Sequence, residues 1–573
     1  MWVIISEVRV CSLDDVRRLG RLIYTYRGKA IALFYHDGKV YAFDNRCPHM
    51  GFPLSRGSIE NGILTCEWHH ARFDLESGCS FDVWADDARV YRVRVVDGDV
   101  YVEIPDLDVE DRARILRRLR KGLEHGVQLL IAKALVSAIY SGLDVDEIYR
   151  ASIGWAMERN IAWGGGSTFI VSTRNIQGYL DSKGLITSLL RGLSILSGEA
   201  SDRAQRPVLD TLAGSSTSLP RLKSWLRHFA EVRDSFGIEV ILASMAFHGY
   251  GIRDIAEVFF SVATDHYLSD GHVVDFANKA FQYLEAILGK PDPNVLRSLA
   301  LLLAEGRRYE ESHEWRHPVD LVEIVDEESG RLAEVFRSGG DPIDPREVAG
   351  LVINGDPRSI AKGITGFLEK DFDPRDVALG VALAGAQRIA MFSSSNEIGD
   401  WLTVLHTFSY ANAIYQVVKR AASHEVFRGV YHGALKIYLD RFLNIPPFKI
   451  PNGSPGESKE KLLKSLVDLL NRRYMIDDVA YVVADYIANG YEDEDLLRTI
   501  CRSVAREDAD FHTMQMLDAG ISIYRDLRSD AHRKIVLIAM ARYIASQAPT
   551  DRRTSQVADI ALKLHMGQSL HSD

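Results

Sequence analysis

Near the start of the chain, two short runs combine thiols with imidazoles. Cys47-Pro48-His49 and Cys66-Glu67-Trp68-His69 read C-x-H, sixteen residues, C-x-x-H. Thiolates and imidazoles are ligands for transition metals. If each of two loops supplies one of each, both can clamp one two-iron, two-sulfide cluster, with two thiolates on one iron and two imidazoles on the other. The alternative is a tetrahedral zinc site. Zinc ligands usually pair like with like, as C-x2-4-C and H-x3-5-H, whereas each motif here mixes the two residue types.

The elements around these loops alternate as strands do. Ile31–His36, Asp37-Gly38 and Val40–Phe43 form a hairpin pattern with its turn pair in place. Val90–Val96, Asp97-Gly98 and Val100–Ile104 repeat it. Ile63-Leu64-Thr65 delivers the second loop from a strand. Residues 1–105 are therefore expected to form a small antiparallel β domain, ended by Pro105-Asp106-Leu107-Asp108. From Val109 onward the spacing is helical. Arg112–Leu123, Val127–Tyr140, Ile252–Ala263, Val274–Leu288, Asp376–Met391, Lys459–Arg473 and Asp530–Gln547 are examples. The expected architecture is α+β multidomain: the β domain, then an all-helical domain over 106–573, with a loop at 446–456 as a candidate subdomain boundary.

The cluster motif resembles the Rieske [2Fe-2S] ferredoxin family. The resemblance implies that Cys47, His49, Cys66 and His69 bind a [2Fe-2S] cluster. Respiratory members carry an extra cysteine in each loop and hydroxyls beside the cluster. The matching positions here are Phe52 and Trp68, then Ala71 and Phe73. The disulfide cannot form, and the reduction potential is expected in the lower part of the range of roughly −150 to +300 mV. His70 stands where glycine is usual in the family.

The helical region is rich in histidine: His248, His266, His272, His313, His317, His406, His424, His432 and His512. Glu310-x-x-His313 and Glu314-x-x-His317 have the i, i+3 spacing that puts a carboxylate and an imidazole on one helix face, as in di-iron bundles. Asp508, Asp510 and His512 add hard oxygen ligands and an imidazole. Any one histidine is read first as a structural residue; the set beside an electron-transfer domain suggests a second metal. Asp265-His266 and His272 do not have the usual spacing of the mononuclear iron site of Rieske oxygenases. Several segments instead resemble the questin oxidase-like family: Phe247–Gly251, Asp270–His272 with Phe276–Phe281, Trp315–Leu321, His406–Ala413 and Glu507–His512. That resemblance implies an oxygen-dependent oxidation of the Baeyer–Villiger type.

Composition sets the limits. The chain has 573 residues, 46% hydrophobic and 26% charged, as in globular proteins. A net charge of −11 argues against a nucleic-acid binder. The stretch Met1–Val10 has no basic leader, no run is long enough to span a bilayer, and Val377–Ala386 reads as a buried helix. A cytoplasmic protein with no membrane or nucleic-acid partner is expected. Five cysteines, an odd number, do not make a disulfide framework; Cys11, Cys79 and Cys501 have no assigned partner. Gly164-Gly165-Gly166-Ser167 lacks a strand–helix context for a nucleotide and is expected to be a loop.

The leading expectation is a Rieske oxidoreductase. An external NAD(P)H-dependent reductase would charge the cluster, which would pass electrons to a non-haem iron site that oxidises a small organic substrate with O2. The candidate residues in the helical domain are His248, His406 and His432 for catalysis, and His266, His272, His313, His317 and His512 for metal. The alternative is an electron-transfer protein whose helical domain is a non-catalytic docking scaffold.

Overall fold

A computed structural model describes residues 5–105, 112–160, 162–212, 218–568 and 570. The breaker residues Asp106, Leu107 and Asp108 and the first helical-pattern residue, Val109, lie outside them. The architecture is a small antiparallel β domain followed by a large helical region. By compactness the chain divides into Met1–Ser152 with Ser555–Asp573, and Ile153–Thr554.

The first unit holds three small sheets. Strands β1 (Ile5–Ser12), β2 (Arg21–Tyr26), β3 (Lys29–His36), β4 (Lys39–Asp44), β5 (Ser58–Glu60), β6 (Ile63–Thr65), β7 (Arg72–Asp74), β8 (Val90–Tyr91), β9 (Val93–Val96) and β10 (Asp99–Pro105) pair as β1-β10-β9, β2-β3-β4-β8 and β5-β6-β7. Both Asp-Gly turns form, with positive φ at Asp37, Gly38, Asp97 and Gly98, the conformation two-residue hairpins need. The first cysteine loop leaves β4, and the second links β6 to β7. Cys47 and Cys66 are rooted in a core with Phe34, Phe43, Leu54, Leu64 and Phe73.

The change of texture at 105 does not mark the edge of this unit. Helices Arg112–Glu124 and Gln128–Ser141 belong to it because their cations reach the β domain. Arg118 pairs with Asp86 in a buried ion pair and donates to Ser137 Oγ. Lys121 donates to the carbonyls of Asp82 and Ala85.

In the second unit, Ile398–Ala421 is the central helix. It packs against Pro374–Ala390, His424–Leu439, His272–Tyr283 and Phe511–Asp526. Pro374–Ala390 is buried along nearly its whole length, so the small-residue stretch Val377–Ala386 is an inner helix. The loop 446–456 lies within this unit, held by Ser454 N–H on Asp485 and Phe448 N–H on Met391 O. Gly164–Ser167 is not a free loop: a helix runs Gly165–Ile176, capped by Gly164. A side chain at Gly166 would meet the Leu196 backbone at 2.5 Å, and one at Gly165 the Phe511 ring at 2.8 Å. The glycines serve close packing. Among the described residues no helix is long and apolar enough to cross a membrane.

Candidate metal centres

The two cysteine loops have the same backbone. Cys47 N–H donates to Phe52 O at 2.8 Å and Gly51 N–H to Cys47 O at 2.8 Å. Cys66 N–H donates to Ala71 O at 2.8 Å and His70 N–H to Cys66 O at 3.0 Å. Each loop closes on a left-handed residue, Gly51 (φ 81°) and His70 (φ 61°). That conformation is the reason glycine suits the position of His70.

Cys47 and Cys66 are buried and share a hydrogen bond, which lowers the Cys66 thiol and raises Cys47. The rings of His49 and His69 lie 4.8 Å apart, edge to face. His49 Nδ1 is buried without a partner, and burial, then Lys133 and His69, hold its pKa at about 4. Two thiols and two imidazoles on paired loops are the donor set of a [2Fe-2S] cluster with mixed ligands. Trp84 and Trp68 cover the histidines, at 4.7 Å from His49 and 4.2 Å from His69. His69 is exposed, so the imidazole side faces outward and the thiol side faces the core.

The Rieske [2Fe-2S] domain family matches residues 6–91. The ferredoxin subunit of 3-phenylpropionate/cinnamic acid dioxygenase from Photorhabdus laumondii is 33% identical over 103 residues, 97% of its length and 18% of this chain. This chain belongs to the Rieske family through that domain. The Escherichia coli K12 subunit of the same name is 30% identical over 103 residues, 96% of its length and 18% of this chain. Among solved structures, the ferredoxin of carbazole 1,9a-dioxygenase from Nocardioides aromaticivorans matches with 25% identity over 17% of this chain and 96% of its own, at a TM-score of 0.16. The Rieske domain is thus homologous to electron-transfer components of dioxygenases. Its ligand loops carry an aromatic pair, Phe52 and Trp68 at 5.7 Å, where the respiratory type has its disulfide. The fully buried Ala71 and Phe73 offer no hydroxyl.

One contact on the Rieske loop had no local signal in the sequence. Lys133, on the helix Gln128–Ser141, donates to Pro48 O at 2.6 Å and to His49 O. Burial, then Arg118, pull its pKa down to about 8.

In the second unit the structure gathers three of the eight candidate histidines. His272, His406 and His512 each place one ring nitrogen within 4.8 Å of the others. Each sits on a different helix, and the helix of His406 packs against the other two. His406 Nδ1 binds Asp270 Oδ2 at 2.8 Å and His512 Nδ1 binds Asp510 Oδ2 at 2.9 Å. An ionised carboxylate only accepts, so each Nδ1–H donates to it and Nε2 is the ring atom left to ligate; both Nε2 atoms are buried without a partner. Carboxylate–histidine pairs of this kind orient metal ligands. His272 is pushed down to about 3 by burial, then by His406 and His512. Metal–nitrogen bonds of about 2.1 Å set ligand nitrogens about 3–3.5 Å apart, so small ring rotations would close the site. Ser269, Asp270 and Gly271 run left-handed before His272 (φ 49°, 53° and 92°). Strain of this kind clusters at functional sites, and a side chain at Gly271 would meet Tyr410 at 2.8 Å.

The other candidates stand apart. His266 spends both nitrogens on carboxylates, Nδ1 on Glu310 at 2.6 Å and Nε2 on Glu231 at 2.8 Å, which leaves no lone pair for a metal. His248 is exposed and donates to Leu212 O. His432 is buried beside Tyr267 and Trp315 and held at about 4 by burial. His313 and His317 stack at 4.9 Å but do not share a helix face with Glu310 and Glu314. A 3-10 turn over Tyr309–Glu311 and a four-residue helix over His313–Arg316 break the segment, and Glu310 turns inward to His266. Asp508 caps the chain at Arg553 and Thr554.

Proposed function

We propose that this chain is an oxidoreductase in which the Rieske cluster, charged by an external NAD(P)H-dependent reductase, passes single electrons to iron held by His272, His406 and His512. There O2 would be activated to oxidise a small organic molecule. The observation that carries this reading is the pair of orphaned, buried Nε2 atoms on His406 and His512, each backed by a carboxylate. Three of the segments that resemble the questin oxidase-like family contain these three histidines, which supports an oxygenase of the Baeyer–Villiger kind.

The protein's own part is positional. Asp270 and Asp510 fix the tautomer and the aim of two imidazoles, and Phe511, stacked on His512 at 3.8 Å, and Phe276, 5.1 Å from His272, limit water around them. A bound iron would supply the oxygen-binding, electron-accepting chemistry that these side chains lack.

A second reading has its own support. The two bacterial relatives named above are ferredoxin subunits of a dioxygenase, so the helical unit could dock the cluster to another enzyme and catalyse nothing. Metal and acid-labile sulfide analysis of anaerobically purified full-length protein separates the two. Two sulfides with more than two irons, the excess falling in H272A, H406A and H512A while the cluster spectrum persists, is the expected result. Two irons, two sulfides and no other metal would refute the second centre and leave the docking reading.

A further inference from the structure

The second unit has a cavity of about 410 Å³, open to the surface, whose wall includes Pro318, Val319, Leu321, Leu439 and Leu443. Phe442, 57% exposed, lies at its rim. A volume of this size and an apolar wall suit a small organic ligand. The exposed polar side chains of His313, Glu314 and His317 also line it, and a buried ion pair interrupts its apolar wall. Lys436 Nζ donates to Asp440 Oδ1 at 2.6 Å, and these side chains are 8% and 1% exposed.

The pair is only partly satisfied. Asp440 Oδ2 is buried with no hydrogen-bond partner. The ammonium has three N–H donors, and Asp440 takes one. Burying an ion pair costs desolvation that further hydrogen bonds must offset, and the cavity wall carries ammonium donors that Asp440 leaves unused. A ligand hydroxyl oxygen can accept from one of them.

Placement links the cavity to the histidine cluster. Thr403 lines it and precedes His406 by about one turn of the helix Ile398–Ala421. Burial lowers Lys436, but Asp440 and then Asp270, the carboxylate that holds His406, keep its pKa raised.

We infer that this cavity is the substrate pocket of the helical unit, and that it takes an apolar compound whose hydroxyl oxygen accepts from Lys436, which Asp440 holds in the wall. The inference rests on the proposed oxygen-activating centre for what happens to the compound, but the binding itself needs no metal.

Equilibrium binding of 1-naphthol and of naphthalene to the full-length protein isolates the hydroxyl. Wild-type protein should bind 1-naphthol at least tenfold tighter than naphthalene. D440N and K436M should each cut that preference below threefold, and L439W, which fills the cavity, should weaken both probes. H272A, expected to lose the extra metal, should keep the preference. No preference in the wild type, or a preference unchanged in both D440N and K436M, overturns the pocket. Absence of metal beyond the cluster in the wild type counts against the centre instead, so the two failures read differently.

Discussion

Asp270 offers the sharpest test of the histidine site. Its Oδ2 holds His406 Nδ1 at 2.8 Å, and its backbone is left-handed at φ 53°. Asparagine tolerates that conformation better than other L residues, so D270N changes the charge and the acceptor while sparing the turn. Burial raises the Asp270 carboxyl, but His406, then Lys436, bring it below its usual value, so the variant removes an ionised partner. Loss of a carboxylate behind a ligating histidine typically costs about 10–100-fold in metal affinity, or about 1.4–2.8 kcal/mol. Chelator competition on full-length protein, following metal beyond the cluster, measures this. The visible circular dichroism of the Rieske cluster, whose ligands lie in the other unit, should not move. If D270N holds its extra metal within about threefold of wild type, Asp270 does not orient a ligand and the argument for the site loses its main support.

Other outcomes follow from the same contacts. R118M leaves Asp86 buried without its main partner and should cost about 3–5 kcal/mol, lessened by Arg114 at 3.8 Å; denaturant titration followed by the cluster spectrum reads it, and a loss below about 1 kcal/mol would show that the helix Arg112–Glu124 does not brace the β domain. Burial lowers His266, but Glu310 and then Glu231 hold it above its usual 6.5, so its contribution is full below that value and fades as pH rises through the folded pKa. H266Q should therefore lower Tm more at pH 6 than at pH 9, and an equal loss at both would contradict the charged pair. The cluster midpoint should fall in the lower part of the span of roughly −150 to +300 mV, because Ala71 and Phe73 give its sulfur no hydroxyl; protein-film voltammetry decides, and a strongly positive value refutes that account.

The candidate cluster ligands were readable because the two loops are local. A C-x-H and a C-x-x-H, each at a strand end, position their own side chains through short-range turns, and the Asp-Gly pairs announce the hairpins that present them. Ile252–Ala263 and Asp530–Gln547 matched their helices for the same reason: periodicity and caps act within a few residues. The same local logic misled at Glu310–His317, where i, i+3 spacing implied a helix face. The chain there breaks into single turns, and Glu310 gains more from His266 and the Tyr267 amide than from its neighbours.

Sequence alone determined the Rieske domain with its four candidate ligands, the β-then-α order of elements and a pool of histidines. Only the tertiary structure decided that Lys133 reaches the cluster loop from a helix beyond the β domain. It also chose His272, His406 and His512 from that pool and put Asp270 and Asp510 behind two of them. Convergence of side chains from three helices depends on how those helices cross and pack, and no spacing within one helix encodes that crossing.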